Sequence, residues 1–432
     1  MTSRITIIGS GITAAAAALE ALQHGTHVTV ISGQPGATAL SSGTWDVAAL
    51  SPPTSASPWN EIPSAMTCME QLLRFESDHP YSLIQKKEDP ISFVGKALER
   101  LSSELSLHLR GSLRQPFLAL TPLGTPKVTA YVGPMQSTGN LLDMREARLL
   151  LVGFCGLGTY FPSLAEAVLK RQLSTQKEVY LKETKSTLLS LREFRFHGSP
   201  MDLALRLDQE SRQDRFYDQL IDAAEQFRAT HVALPPVMGL EQSNHLMTRL
   251  RENSAIKWFE MPGTPPSLPG LRLHRQIEKF FKGGRIDYLE GEVKGAATHA
   301  KRISHLELSD GKRIEVQNLI LATGRYIGGG LASDEALREP ILNLPLFSQG
   351  KRVDGTKPSR LTSPNFLSSH PLFEAGVRVG AHFQPVDQRG YLLYENLWAA
   401  GSLLTGYQEA SQGCGMGVAV ATGMIAGRFA AC

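Results

Sequence analysis

Six residues near the start of the chain have the types and spacing of a phosphate-binding turn. The segment Gly9-Ser-Gly-Ile-Thr-Ala14 follows the pattern Gly-x-Gly-x-x-Ala, in which the first glycine permits a sharp turn and the second lets the backbone approach a pyrophosphate. A small third residue lets helix and strand pack closely, and the N–H groups at the helix start attract the anion. The pattern predicts that a phosphate-bearing cofactor contacts Gly9, Ser10, Gly11, Ile12, Thr13 and Ala14.

The segments around this turn are the ones that such a site requires. Residues 4–8 have the pattern of a short apolar strand, residues 14–23 of an alanine- and leucine-rich helix, and residues 27–31 of a second strand. Strand, glycine turn, helix and strand form one βαβ unit, because parallel strands need such a crossover. The complete unit favours cofactor binding over the alternative, a glycine turn in an α/β domain that binds no nucleotide.

The residue that follows the second strand departs from the usual dinucleotide pattern. An acidic residue is expected about 20 positions after the glycine turn, where it holds the ribose hydroxyls of adenosine. Ser32 occupies that place, and its neighbours Ile31 and Gly33 are not acidic. A serine hydroxyl forms its hydrogen bond without the charge assistance that a carboxylate provides. Ser32 therefore weakens the case for an adenine dinucleotide and leaves a mononucleotide flavin open.

Two turns near the other end of the chain have patterns typical of flavoproteins. Ala322-Thr323-Gly324 closes a predicted buried strand, and in flavoproteins with two dinucleotide-type domains such a turn runs past the cofactor. A further strand over 397–401 ends at Gly401. Ser402 follows it, where many flavoproteins have an aspartate that binds the ribityl chain. We expect cofactor contacts from Thr323, Gly324, Gly401 and Ser402.

A glycine-rich loop then leads into the last predicted helix. Its glycines would let backbone N–H groups approach a flat ring, and the positive end of the helix would favour an anionic reduced flavin. The alternative is a loop before a terminal packing helix, because helix starts also bind anions without redox chemistry. The candidate cofactor contacts of this loop are Gln412, Gly413, Cys414, Gly415 and Met416.

Three further groups have both a functional and a structural interpretation. Ser41, Ser42 and Gly43 lie where flavoproteins often cover the flavin ring, or they form an ordinary polar turn. The thiol of Cys414 is redox-active or, since no second cysteine is near in sequence, simply packed. Arg325 and Arg338 are the candidate catalytic or substrate contacts, or they form structural ion pairs. The spacing of residues assigns no catalytic base.

Composition places the chain among globular proteins with more than one core. It has 432 residues, of which 42% are hydrophobic and 20% charged. The 44 Lys and Arg residues nearly balance the 41 Asp and Glu residues, which argues against a broad nucleic-acid surface. No apolar run reaches the ~18 residues of a membrane-spanning helix. The four cysteines lack Cys-x-x-Cys spacing, so we expect no metal site.

These patterns predict an α/β fold with a Rossmann-type flavin-binding domain and an inserted α/β domain. The flavin-binding domain comprises residues 1–65 and 271–432, with loops across the site over 33–65 and a β-hairpin over 303–316. The inserted domain comprises residues 66–270 and faces a substrate or a partner. Its sequence is helical in pattern over 66–107 and then alternates between strand and helix patterns.

The whole chain resembles the B subunit of the bacterial anaerobic glycerol-3-phosphate dehydrogenase. The positions of Ser32 and Ser402 are non-acidic in that family as well, so these departures do not count against membership. The stretches that carry the resemblance follow the order of the family: Ser41-Ser-Gly43, His79-Pro-Tyr-Ser-Leu83, Thr121-Pro-Leu-Gly-Thr125, Gly270-Leu-Arg-Leu273, Leu321-Ala-Thr-Gly324 with Gly328-Gly-Gly-Leu331, Arg338-Glu-Pro-Ile-Leu342 and Ala410-Ser-Gln-Gly-Cys-Gly415.

The resemblance implies a flavin-binding subunit that uses FMN, with FAD as the alternative. It implies two partners, an FAD-containing catalytic subunit and an iron–sulfur subunit that anchors the complex at the cytoplasmic side of the inner membrane. This chain would be peripheral there, without a membrane-spanning segment of its own. The complex would oxidise sn-glycerol 3-phosphate to dihydroxyacetone phosphate and pass electrons to menaquinone, and from there to fumarate or nitrate.

Two other hypotheses stay open at the level of sequence. The first is a stand-alone flavin oxidoreductase that acts on another small substrate, and activity of the isolated chain with a dye acceptor would favour it. The second is an assembly subunit that a flavin stabilises but that performs no chemistry. A bound flavin that the substrate of the complex cannot reduce would favour this second alternative.

Overall fold

The structure is a computed structural model that describes residues 3–49, 62–174, 179–190, 198–209, 213–252, 254–366 and 368–432. Residues 50–61 of the predicted loop stretch lie outside this range. The strands, in chain order, are β1 (Arg4–Ile8), β2 (His27–Ser32), β3 (Thr44–Trp45), β4 (Arg110–Gly111), β5 (Phe117–Leu120), β6 (Pro126–Thr129), β7 (Tyr131–Val132), β8 (Ala147–Phe154), β9 (Leu181–Leu189), β10 (His231–Leu234), β11 (Lys257–Glu260), β12 (Asp287–Glu290), β13 (Val293–His299), β14 (Arg302–Leu308), β15 (Arg313–Glu315), β16 (Asn318–Leu321), β17 (Leu346–Ser348), β18 (Lys351–Arg352), β19 (Gly376–Val377) and β20 (Leu397–Ala399). The helices are α1 (Ile12–Gln23), α2 (Ala65–Phe75), α3 (Pro80–Gln85), α4 (Pro90–Glu104), α5 (Pro162–Leu173), α6 (Pro200–Leu207), α7 (Gln213–Phe227), α8 (Ser243–Glu252), α9 (Leu268–Phe281), α10 (Glu409–Gln412) and α11 (Gly415–Ala431).

A five-stranded parallel sheet organises the first core, with strand order β12-β2-β1-β16-β20. Its central strand β1 pairs Ile7 with Val30 of β2 on one side and with Ile320 of β16 on the other. These strands are apolar along nearly their whole length because helices or loops cover both faces of a parallel sheet. The carboxyl ends of the strands meet at one edge, which is where open α/β sheets bind ligands. The Rossmann-type α/β prediction is confirmed.

Helices α1 and α11 lie against each other without room for side chains at the contact. A Cβ atom built on Gly423 would lie 2.5 Å from the carbonyl oxygen of Thr13, and one on Gly427 would lie 2.4 Å from that of Ala17. Ala16 and Ala17 of α1 lie at this contact beside Thr13 and Glu20, and both helices are buried almost all round. This close approach aligns the two helices so that both begin at the carboxyl edge of the sheet.

A buried carboxylate joins these two helices to α4. Glu20 on α1 accepts from Arg428 on α11, at 3.0 Å, and from Arg100 on α4. Arg428 also binds Glu88, at 2.8 Å. Burial alone would raise the pKa of Glu20, but the guanidinium groups of Arg428 and Arg100 outweigh it and lower this pKa below its ordinary value of 4.5. The ionised form of Glu20 therefore stabilises the folded state.

Helices α2, α3 and α4 pack into the first core, although they follow the predicted domain boundary at residue 66. Their side chains Met69, Tyr81 and Phe93 belong to the same hydrophobic cluster as α1 and α11. The Tyr81 hydroxyl packs closely against α11, because a Cβ atom built on Gly417 would lie only 2.1 Å from it. The boundary at 66 stays a prediction, and this packing supports placing the three helices with the first core.

A second parallel sheet organises a separate hydrophobic core. Its order is β11-β10-β8-β9, and helices α5, α7 and α8 pack against it. Strands β8 and β10 lie in the stretch after residue 107 whose sequence alternates between strand and helix patterns. A buried ion pair between Glu260 of β11 and Arg272 of α9 connects the second core to the first. Glu260 also accepts from the backbone N–H groups of Val237 and Met238.

Antiparallel strands complete the fold next to the first sheet. The predicted hairpin is present as β14 and β15, and β13 joins them as a third strand that the sequence patterns do not predict. Strand β13 begins three residues after β12 ends. The short connection between these two strands therefore places residues 291–294 at the carboxyl edge of the first sheet. This placement contributes side chains to the cavity described below.

The contact between α1 and α11 predicts the effect of enlarging a glycine. The valine of a Gly427→Val variant would displace the backbone of Ala17, and overpacking of this kind typically costs about 1–3 kcal/mol. We expect a corresponding loss in the free energy of unfolding, measured by chemical denaturation. Gly295→Val is the control, because no atom lies within 4 Å of a Cβ at that position. Equal stability of the two variants would contradict the close packing.

The Glu20 cluster predicts a stability effect that depends on pH. Glu20→Gln should lower the free energy of unfolding at pH 7 by about 1–3 kcal/mol, the range for hydrogen bonds to charged groups. Because the folded pKa is lowered, this contribution is complete above the unfolded pKa of ~4.3 and disappears as pH falls through the folded value. The stabilities of wild type and variant should therefore differ more at pH 7 than at pH 3. The exposed Glu315→Gln serves as control, and a pH-independent loss would contradict the ion cluster.

Candidate functional site

The glycine turn after β1 has the conformation that the sequence pattern requires. Gly9 has a φ of +134°, and a Cβ there would lie 2.2 Å from the carbonyl oxygen of Ala322. A Cβ on Gly11 would lie 2.9 Å from the hydroxyl oxygen of Thr38, which accepts from the N–H of Ile12 at 3.0 Å. Both positions need glycine, and α1 begins directly at the turn with no acidic residue in its first turn. The positive end of the helix is left for an anion.

The end of β2 has an acidic neighbour, although that neighbour comes from another strand. Ser32 donates to the carbonyl of Gln34, at 3.1 Å, and Gly33 lies against the backbone of Glu292. Strand β12 pairs in parallel with β2, with Glu290 opposite Ser32, so Glu292 lies just beyond the same edge. Glu292 binds Lys294 at 2.6 Å, with both side chains exposed. The structure therefore supplies a carboxylate where the sequence pattern lacks one.

The turn after β16 packs against a run of three glycines. Gly324 has a φ of +74°, and a Cβ on Gly330 would overlap the carbonyl oxygen of Gly324. The hydroxyl group of Thr323 is buried and has no hydrogen-bond partner among the described residues. Thr323 and Gly324 thus lie at the carboxyl edge of the sheet, where the Thr323 hydroxyl oxygen is without a partner.

The C-terminal turn and helix close the site opposite α1. Gly401 has a φ of +72°, its N–H donates to Thr422 at 2.8 Å, and a Cβ there would lie 2.3 Å from the Thr13 hydroxyl. Helix α11 begins at Gly415 without a capping side chain. The N–H of Gly417 donates to the backbone carbonyl of Asp46, at 3.1 Å. This bond places the segment after β3 at the start of α11.

These elements enclose an elongated cavity of about 850 Å³. It extends from Ser32, Glu292 and Lys294 at one end to Asp46 and Met416 at the other. Of the predicted cofactor contacts, those in its wall are Gly9, Ser10, Gly11, Ile12, Thr13, Ser32, Ser41, Ser42, Thr323, Gly324, Ser402, Gly415 and Met416. Those that do not line it are Ala14, Gly43, Gly401, Gln412, Gly413 and Cys414.

The chemistry of the wall fits a flavin nucleotide. Three buried polar atoms in it have no partner among the described residues: Ser41 Oγ, Asp46 Oδ1 and Thr323 Oγ1. Two helix starts bring positive potential to the same space, which suits phosphate oxygens and a ring that gains negative charge. Glycines at the points of closest backbone approach leave room for a large ligand. The site is therefore built to hold a phosphate-bearing group of this size.

A second cavity, of about 750 Å³, adjoins the first. Both cavities share Asp46, Ser402 and Glu409 in their walls, so they adjoin each other at these residues. Lys127 of β6 enters the shared wall and donates to Asp46 at 2.7 Å and to Thr44 at 2.6 Å. Apolar side chains make up much of the remaining lining of the second cavity, from Pro126, Val128, Ile327 and Phe373.

Glu409 lies in the wall that the two cavities share, and the sequence patterns did not single it out. They did not single out Asp46, Lys127 or Glu292 either. Burial raises the pKa of Glu409 and the charge of Asp46 adds to the increase, while Arg325 lowers it. A signal for Glu409 existed, since it directly precedes the stretch at 410–415 that carries the family resemblance. The other three come from distant strands, and their local sequence contains no comparable signal.

The two candidate arginines have different positions. Arg325 faces the second cavity, but its guanidinium group donates to the backbone carbonyls of Ser402, Leu404 and Phe373. Arg338 lines the first cavity and forms an ion pair with Asp334 at 3.2 Å. Arg325 thus holds the C-terminal turn in place, whereas Arg338 keeps an exposed guanidinium group at the cavity.

Cys414 is a fully buried thiol beneath the start of α11. Its sulfur lies 3.7 Å from Nε2 of His79, whose Nδ1 accepts from the backbone N–H of Tyr81 at 3.1 Å. Because Nδ1 is the acceptor, Nε2 carries the proton and donates to the sulfur. Burial lowers the pKa of His79 to about 3 and raises the pKa of the Cys414 thiol. Both groups are therefore neutral, as expected for packed side chains.

Metal-ligand clusters and membrane-spanning helices are both absent from the described residues. Within that part of the chain, no group of three or more His, Cys, Asp or Glu side chains could hold a metal ion. No helix among the same residues is both long and apolar enough to cross a membrane.

The chain matches the FAD binding domain family over residues 4–418. The fold and the site thus define a flavoprotein of the oxidoreductase class, built on a parallel sheet with a flavin cavity at its carboxyl edge. Among its relatives, the chain is 30% identical over 437 residues to the anaerobic glycerol-3-phosphate dehydrogenase B subunit of Vibrio vulnificus, covering 98% of this chain and 94% of that protein. The chain belongs to the family of anaerobic glycerol-3-phosphate dehydrogenase B subunits, which confirms the resemblance.

Other relatives and two solved structures are also similar to the chain. The B subunits of the same enzyme from Vibrio cholerae (29% identical, 97% of this chain, 94% of the relative) and Actinobacillus pleuropneumoniae (26%, 97% and 97%) match over nearly their full lengths. The 3-ketosteroid delta1-dehydrogenase of Sterolibacterium denitrificans matches with a TM-score of 0.45 and 10% identity over 100% of both chains. The FrdA chain of E. coli quinol fumarate reductase matches with 0.40 and 8%, over 100% of this chain and 70% of that one.

The geometry of the glycine turn predicts the effect of a side chain at residue 11. Gly11→Val would fill the space between the turn and Thr38 and displace phosphate oxygens from the start of α1. We expect flavin affinity to fall at least tenfold, about 1.4 kcal/mol, in a titration followed by flavin fluorescence. The variant Gly158→Val, outside the walls of this cavity and with no atom within 4 Å of a Cβ, should bind as the wild type does. Unchanged affinity in Gly11→Val would show that the turn does not contact the cofactor.

Proposed function

We propose that this chain is the flavin-binding subunit of an anaerobic glycerol-3-phosphate dehydrogenase complex. The observation that carries the proposal is the cavity between the starts of α1 and α11, whose wall holds unpartnered polar atoms suited to a flavin nucleotide. The names of the relatives support the reaction, oxidation of sn-glycerol 3-phosphate to dihydroxyacetone phosphate. Electrons would pass to a quinone, with fumarate or nitrate as the terminal acceptor.

The cofactor that we propose is FAD, although Ser32 and Ser402 by themselves favour FMN. The cavity continues past the phosphate turn to Ser32, Glu292 and Lys294, a region that an FMN phosphate would leave empty. An adenosine ribose there would have both the Ser32 hydroxyl and the Glu292 carboxylate within the same wall. The residue from the neighbouring strand thus supports an adenine dinucleotide despite the missing acid after β2.

The chain's own residues would divide the work along this cavity. Gly9, Gly11 and the N–H groups at the start of α1 would bind the pyrophosphate. Thr323 and Ser402 would accept or donate hydrogen bonds along the ribityl chain. The start of α11, near Gly415, would stabilise negative charge on the ring. The bound flavin supplies the capacity to take two electrons from a donor and release them singly.

The partners belong to the same proposal. The relatives are named as one lettered subunit of an enzyme, which implies a complex of several subunits. We propose a catalytic subunit with its own FAD and an iron–sulfur subunit that anchors the complex, which would place this chain peripherally at the cytoplasmic side of the inner membrane. Turnover of glycerol 3-phosphate by the isolated chain, compared with turnover in the presence of the catalytic subunit, decides which of the two binds the substrate.

The choice of cofactor has a direct test. We expect the purified chain to show the two visible absorption bands of an oxidised flavin, and the flavin released by heat to have the mass of FAD. An FMN mass would contradict the dinucleotide assignment while preserving a flavoprotein. Absence of flavin after reconstitution with either cofactor would contradict the proposed function and leave only an assembly role without redox chemistry.

The adjoining second cavity favours a second candidate function, a stand-alone flavin oxidoreductase. Its volume and its contact with the ring end of the first cavity are those of a substrate site. A turnover assay with glycerol 3-phosphate and a dye acceptor, run on the isolated chain and on the chain with its partner subunits, distinguishes the two functions. Turnover by the isolated chain supports the stand-alone enzyme, whereas turnover only with the partner subunits supports the complex.

A further inference from the structure

Glu409 occupies the wall between the flavin cavity and the second cavity. It lines both spaces, and its carboxyl group lies against Gly415, so close that a Cβ there would overlap Oε1. Gly415 is the first residue of α11, the helix whose positive end faces the ring end of the flavin cavity. No side chain or backbone group among the described residues forms a hydrogen bond or ion pair with this carboxyl group.

Among the charged and titratable groups in this part of the wall, Glu409 is the acid that is free to change its protonation state. The Asp46 carboxylate is engaged by Lys127, and the Arg325 guanidinium by three backbone carbonyls. Tyr407 and Cys414 are buried, and burial raises the pKa of each, so both stay neutral. Of the groups that face it, Asp46 is the one whose negative charge opposes ionisation of Glu409, and Arg325 the one that favours it.

We propose that Glu409 takes up a proton when two electrons enter the flavin and releases it when they leave. The reason is electrostatic: negative charge that arrives at the ring end lies next to a carboxyl group that contacts the first residue of α11, has no hydrogen-bond partner among the described residues and is repelled by Asp46. Protonation of Glu409 removes this repulsion without neutralising the dipole of α11. Glu409 is thus a residue that couples protons to electrons at the junction of the two cavities.

The step balances as two electrons and two protons. One proton goes to the flavin itself and the other to the Glu409 carboxylate, and both leave when the electrons pass to the acceptor. Because Glu409 also faces the second cavity, a ligand there can exchange this proton directly. The inference rests on the proposed function, since it requires a flavin in the first cavity.

The test is the pH dependence of the flavin midpoint potential in the purified chain, titrated with dithionite and redox dyes from pH 5 to pH 9. Each proton coupled to a two-electron reduction changes the equilibrium tenfold per pH unit, about 30 mV. We expect a slope of ~60 mV per pH unit in the window where Glu409 changes protonation, and ~30 mV throughout in Glu409→Gln. The variant Glu409→Asp should restore a window of steeper slope, shifted in pH.

Controls separate this inference from folding and from the proposed function. Glu315→Gln, an exposed carboxylate of β15, should keep the wild-type slope, and all variants should show the wild-type flavin spectrum and unfolding midpoint. Identical slopes in wild type and Glu409→Gln would overturn the role of Glu409 while leaving flavin binding intact. Failure of the wild-type chain to bind flavin would instead overturn the proposed function, and this inference with it.

Discussion

The contact between α1 and α11 is the constraint on which the rest of the site depends. Gly423 and Gly427 let the two helices touch backbone to backbone, and the Glu20 cluster joins them to α4. Since both helices begin at the carboxyl edge of the parallel sheet, their positive ends converge on one cavity. Two loops, the glycine turn after β1 and the turn after β20, are thereby held next to each other, and a Cβ atom on Gly401 would lie 2.3 Å from the Thr13 hydroxyl. One packing arrangement thus places both helix starts at the same cavity.

The same arrangement explains why the polar chemistry gathers where the two cavities join. The backbone of Asp46 is held by the first turn of α11, and Lys127 reaches Asp46 from β6. Glu409 lies in the short helix directly before α11, and its carboxyl group lies against Gly415 at the start of α11. A carboxylate paired with lysine therefore adjoins an unpaired carboxyl group.

A buried ion pair joins the second core to the first. Glu260 is fully buried and receives Arg272 together with two backbone N–H groups. Removal of one member of such a pair leaves a buried charge without its partner, which is strongly destabilising. Helices α2–α4, in contrast, belong by packing to the first core, where Tyr81 and Phe93 contact the hydrophobic cluster around α11.

The sequence by itself determined those features whose cause is local. The Gly9–Ala14 turn, the helix after it and the Ala322–Gly324 turn could be predicted because spacing within a few residues decides backbone conformation and close approach. The tertiary structure alone decided which distant residues share a wall. Glu292 reaches the end of β2 only because β12 pairs beside it, and Asp46, Lys127 and Glu409 meet only because β6 and α11 pack around the same space. Strand pairing and helix packing act between segments far apart in the chain, and no short pattern encodes them.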